Sequence, residues 1–82
     1  MTDTLTAAEI AANYTAMGHS VDLINGIIAG TEMSGDDAAD RQDCVDRNVE
    51  HLELMVAKDY WTTEDMTAVN AAITAGQGYT AS

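Results

Sequence analysis

Ile10, Tyr14, Met17, Val21, Ile24 and Ile28 follow one another in steps of four, three, four, three and four. Such steps line one side of an α-helix and do not fit the alternation of a strand. A second stripe, Val45, Val49, Leu52 and Val56, repeats the spacing, with Ala38, Met55 and Tyr60 nearby. A third, Met66, Val69 and Ile73, is shorter. Proline is absent, so nothing removes a helical hydrogen bond or forces a kink. The chain reads as all-α: a small three-helix bundle, or a helical hairpin plus a short third helix, followed by an extended C-terminal tail.

The ends of these helices carry their own signals. A helix often starts with an apolar residue, a hydroxyl or Asp cap, an acid three positions on, and then a second apolar residue. The cap oxygen takes a free N–H, the acid reaches back to the cap, and the apolar pair closes over both. LTAAEI matches through Thr6 and Glu9, with Leu5 and Ile10 as the pair. MSGDDA matches through Ser34 and Asp37, with Met33 and Ala38, and WTTEDM through Thr62 and Asp65, with Trp61 and Met66. Gly30 and Gly76 are natural stops. The spacing predicts helices over about 7–29, 35–58 and 63–75 and a tail over 76–82, in one domain spanning residues 1–82. Gly18 offers an alternative end for the first helix, with Ser20 capping a next one. The stripe keeps its phase across Gly18, which favours one continuous helix.

A chain of 82 residues has a thin core. Leu, Ile and Val make up under a fifth of it, and the net charge is −11. That combination approaches disordered chains. Five Met residues and many Ala residues supply apolar surface that such a count omits. Fourteen acids against three bases repel phosphates, so no nucleic-acid partner is expected. The one cysteine, Cys44, cannot close an internal bridge, which fits an intracellular or intracellularly assembled product. No leader is expected, and no membrane span, because the longest apolar run is too short.

Chemistry is expected to be absent. Acids flank Cys44 at Asp43 and Asp46, which blunts a nucleophilic thiol. A half-buried structural role suits it better. His19 and His51 lie on different helices, and no HExxH or CxxC spacing surrounds them, so no zinc site is expected. The acids do not follow a calcium-loop pattern, and no glycine-rich phosphate loop occurs. Neither an enzyme nor a cofactor is expected.

The distribution of charge points instead to protein contact. Eight of the fourteen acids lie between Glu32 and Glu53, whereas Ile10–Val21, Leu23–Thr31 and everything after Asp65 carry no formal charge. Small neutral residues on helices one and three permit close approach of another chain. The first stripe is also of the kind that mediates helix association, although a monomeric bundle produces much the same pattern. The candidate partner-contact residues are Tyr14, Met17, Val21, Ile24, Trp61 and Tyr79. Trp61 has two readings: a binding anchor, or a structural residue packing on Met66 and Tyr60, which is favoured.

The stretch NVEHLELMVAKDYWTTEDMTAVNAAITAG, Asn48–Gly76, resembles segments of short virion-associated proteins of marine cyanobacterial phages. The resemblance spans roughly the C-terminal half and carries over no functional residues. It implies a decoration or knob-like protein docking on a phage capsid or tail, made in the host cytoplasm and located in the virion. Two other readings stand beside it. One is an acidic mimic of DNA that inhibits a host protein through Asp36, Asp40, Asp43, Asp46, Glu50 and Glu53, a row broken by Arg41 and Arg47. The other is a homo-oligomeric scaffold built on the first helix.

Overall fold

A computed structural model of the chain describes residues 5–82. Residues 1–4, which the single-domain reading also includes, lie outside the described residues. The architecture is three α-helices: α1 (Ala7–Ala29), α2 (Ala38–Val56) and α3 (Thr67–Gln77). Each packs against the other two, so the chain is a three-helix bundle. No strand occurs among the described residues.

α1 begins where its local chemistry requires. The Thr6 hydroxyl accepts from the Glu9 N–H at 3.1 Å, and Glu9 Oε1 accepts from the Thr6 N–H at 2.9 Å. The reciprocal pair satisfies two of the donors that a helix start leaves open. The helix then runs unbroken through Gly18. It ends at Gly30, whose φ of 84° is the left-handed conformation that costs a side-chain-bearing residue roughly 1 kcal/mol. There the Gly30 N–H bonds to Ile27 O and the Thr31 N–H to Gly26 O, closing the last carbonyls of the helix.

The other two starts differ from the sequence expectation. α2 begins at Ala38, not near 35, and its cap position is Asp37, which makes no side-chain cap bond. Ser34 sits upstream in a turn, with the Asp36 N–H bonded to Met33 O. Gly35 is a poor helix former, and Asp37 is one methylene shorter than the Glu that reaches back to a cap. α2 also ends at Val56 rather than 58. α3 begins at Thr67, not 63, and Thr62 caps nothing. Instead Asp65 Oδ1 accepts from the Thr67 N–H at 2.9 Å, a local Asp turn. The Trp61 indole N–H is tied to Met55 O at 2.7 Å, which holds this part of the connection over the end of α2. Replacing Thr6 by Ala is expected to cost about 1 kcal/mol, and Ser34→Ala and Thr62→Ala less than about 0.5. Urea denaturation of the three variants measures this, and equal losses would contradict the difference in capping.

The two local carboxylate contacts also set an acid dependence. Bonds from the Thr6 main chain, then its side chain, hold the Glu9 carboxyl below its ordinary value. Bonds from the Thr67 side chain, then its main chain, do the same for Asp65. A carboxyl lowered in the fold binds its proton later than in the unfolded chain. Its contribution is complete above the unfolded value of about 4 and is lost as pH falls through the folded value. Thermal midpoints should fall through that range, and less steeply for Asp65→Asn.

The core joins Met17, Val21, Ile24 and Ile27 of α1 to Val45, Val49 and Leu52 of α2 and Val69, Ala72 and Ile73 of α3. The expected stripes of α2 and α3 thus supply most of their buried residues. On α1 the final step is different: Ile27 is buried at 3% exposure and Ile28 is 41% exposed. A helix that faces two neighbours buries a wider arc than a two-helix seam, and Ile27 lies on its shoulder.

α3 does not stop at Gly76. It runs on to Gln77, and Gly76 is buried in its last turn. A Cβ built there would lie 2.3 Å from Val49 Cγ2, with Val45 Cγ1 at 3.4 Å and Ile24 Cγ2 at 3.5 Å. The residue is a contact point where α3 meets the other two helices, so its lack of a side chain serves packing.

Candidate interaction surface

The bundle sorts its charge by helix. On α2 the carboxylates of Asp40, Asp43, Asp46, Glu50 and Glu53 all face solvent. Arg47 Nε meets Asp43 Oδ2 at 2.9 Å, one turn away, with both side chains mostly exposed. Such a pair contributes little to stability. α3 carries no charged residue, and its exposed positions are Ala, Thr, Asn and Gln. On α1 the exposed surface is mainly Ala, Thr and Asn, with Glu9 near the start and Asp22 further along.

The six candidate contact residues divide three ways. Met17 at 0%, Val21 at 7% and Ile24 at 0% exposure belong to the core. They are internal contacts and not partner contacts, because α2 and α3 cover this middle part of the first stripe. Tyr14 and Trp61 are half-buried at the α2–α3 connection. Their ring centroids are 6.3 Å apart, and Tyr60 lies 4.6 Å from Trp61. The Tyr14 hydroxyl donates to Asp65 O at 2.5 Å, and Asn13 Nδ2 donates to the Tyr60 hydroxyl at 3.5 Å. Trp61 packs internally on Tyr60 and Tyr14 and seals the connection, and it does not complete a Thr62 cap. Tyr79 is half-buried in the tail and packs against the core.

The tail itself is docked. Gln42, on α2, holds it with its carboxamide: Nε2 donates to Tyr79 O at 3.1 Å and Oε1 accepts from the Ala81 N–H at 2.7 Å. The second Nε2 hydrogen goes to Asp46 Oδ1 at 3.0 Å, which fixes which end of the amide faces which tail group. Next to it, Arg41 donates to Ser82 O at 2.7 Å and to Asp36 O, joining the tail to the α1–α2 loop. Beneath lies a cavity of about 300 Å³ lined by Ile27, Ile28, Glu32, Arg41 and Tyr79 among others. Tyr14 and this cavity are separated by some 14 residues of α1, about 21 Å of helix. The candidate residues thus do not converge on one spot.

Nothing in the sequence marks Gln42, and Arg41 reads there only as a break in the acidic row of α2. Their partners lie 37 to 41 positions away, and no local pattern marks them. Gln42→Ala is expected to release the tail while leaving the bundle folded. Hydrogen exchange at the Ala81 amide reads this directly: unchanged protection would show that Gln42 does not hold it.

Cys44 is half-buried against the core, as expected, with Asn48 Nδ2 donating to its carbonyl at 2.8 Å. Among the described residues no group of three His, Cys, Asp or Glu side chains is placed to hold a metal ion. Among them, too, no helix is long and apolar enough to cross a membrane. No protein-family model, curated protein or solved structure matches the chain.

Proposed function

We propose that this chain is a non-catalytic docking protein of a phage virion, seated on a capsid or tail through the low-charge surface of α1 and α3. The observation that carries the reading is the partition of charge: α3 has no ionised side chain, while five exposed carboxylates line α2. Association strips water from the contact face. Ionised groups lose much on that transfer and small neutral groups little. Ala, Thr and Asn side chains also let a partner's backbone come close. The acidic face then points outward, where like charge keeps neighbouring particles apart. The resemblance of Asn48–Gly76 to virion-associated proteins supports the location.

The alternative, a mimic of DNA phosphates, is weakened by the placement of the bases. Arg47 pairs with Asp43, and Arg41 spans the loop and tail beside Asp40. Two steps test the proposal. Mass spectrometry of density-purified particles should find the protein, and its absence would overturn the virion location. Ala71→Glu with Ala75→Glu should then abolish co-sedimentation with particles while leaving the helical spectrum unchanged. Binding that survives this pair but collapses with salt would transfer the contact to α2 and a basic partner.

A further inference from the structure

We infer that the cavity between α1, α2 and the tail is a site for a small zwitterion with an apolar body, of the size of an apolar amino acid. The docked tail stays in place as one wall of this site, and a ligand there neither needs nor excludes the virion location. The volume, about 300 Å³, is at the lower end for small-molecule sites. Ile27, Ile28 and Tyr79 supply apolar wall. Ile28, 41% exposed, is one of two large apolar side chains that the described residues leave open to solvent. A ligand body laid against it takes that surface out of water.

Two opposite charges border the same space. Arg41 is half-buried, and its bonds to Asp36 O and Ser82 O fix the guanidinium while using only some of its N–H donors. A planar fork held in this way suits a carboxylate. Glu32 also lines the cavity, and among the described residues no ion pair joins it to Arg41. A ligand with only a carboxylate meets repulsion from Glu32, and one with only an ammonium group meets it from Arg41. A molecule with both groups satisfies both. Glu32 is also seated for this. Its N–H bonds to Gly26 O at 3.1 Å. A Cβ built at Gly26 would lie 2.5 Å from Glu32 Cγ and 3.2 Å from Glu32 Cβ. Glycine is disfavoured inside a helix, yet α1 carries one where it lets the Glu32 stem lie against the helix, one residue from Ile27.

Titration of the intact protein tests this by nuclear magnetic resonance. L-Leucine should shift the Arg41 side-chain and Glu32 amide signals saturably, with a Kd of about 1 mM, the scale for so few atoms. Isocaproate and isopentylamine, which keep the leucine body with one charge each, should bind at least about tenfold more weakly. Glu32→Gln and Gly26→Ala should each weaken leucine by about tenfold with the helical spectrum unchanged, the second by displacing the Glu32 stem. No saturable shift up to about 20 mM leucine would overturn the proposal. So would isocaproate binding as tightly as leucine, which leaves Glu32 without a part, or isopentylamine doing so, which leaves Arg41 without one. Unchanged leucine binding in either variant would do the same. The three ligands need no substitution, so they decide even where a variant disturbs the fold.

Discussion

Leu52→Ala is expected to lower the unfolding free energy by about 3 kcal/mol, within the range for truncating a buried leucine. Leu52 is 0% exposed, between the stripes of α1 and α3. Its loss removes the transfer energy of the side chain and leaves a cavity that three helices cannot fully collapse around. Domains carry about 0.05–0.15 kcal/mol of stability per residue, so this one substitution takes a large share of what the chain has. Leu54 is the internal control. It is two positions along the same helix but 62% exposed, and Leu54→Ala should change stability by less than about 0.5 kcal/mol. Urea melts of both variants measure the difference. Similar losses at the two positions would mean that α2 is turned differently against its neighbours.

Gly76→Ala should destabilise by about 1–2 kcal/mol, against the trend of helix propensity. Alanine in a helix interior is favoured over glycine by roughly 1 kcal/mol. At Gly76 that gain is outweighed, because the added methyl would overlap Val49 Cγ2 at 2.3 Å with Val45 and Ile24 behind it. Overpacking of a close contact costs typically about 1–3 kcal/mol, and a β-branched valine gives way poorly. Gly76→Val should be worse still. Gly18 supplies the contrast, with nothing within 4 Å of a Cβ built there. Gly18→Ala should raise stability by about 0.5–1 kcal/mol. If both alanines stabilise, α3 does not approach α2 as closely as described.

The two glycines show where reading a sequence stops. Each has the same composition signal, a glycine within or near a helical stripe. Gly18 lies on open surface and Gly76 at a three-helix contact, and only the packed neighbours tell them apart. The candidate contact residues divide for a similar reason. The spacing of Met17, Val21 and Ile24 announces an apolar face, but whether a partner or the chain's own α2 and α3 covers it depends on tertiary folding. Here the chain covers it itself, and what α1 and α3 leave exposed is mostly the small residues between the stripes.

What the sequence alone determined were the features whose partners lie within a turn or two. These are three helices, the Thr6–Glu9 start, the Gly30 stop and the buried sides of α2 and α3. Each rests on groups three or four residues apart, brought together by helical geometry itself. Tertiary structure decided the rest: the late start of α3 beneath Trp61, Ile27 over Ile28, the buried role of Gly76, and the tail held by Gln42 and Arg41. Those contacts join groups distant in sequence or depend on how much of a helix its neighbours cover. Their energies appear only once the three helices have packed.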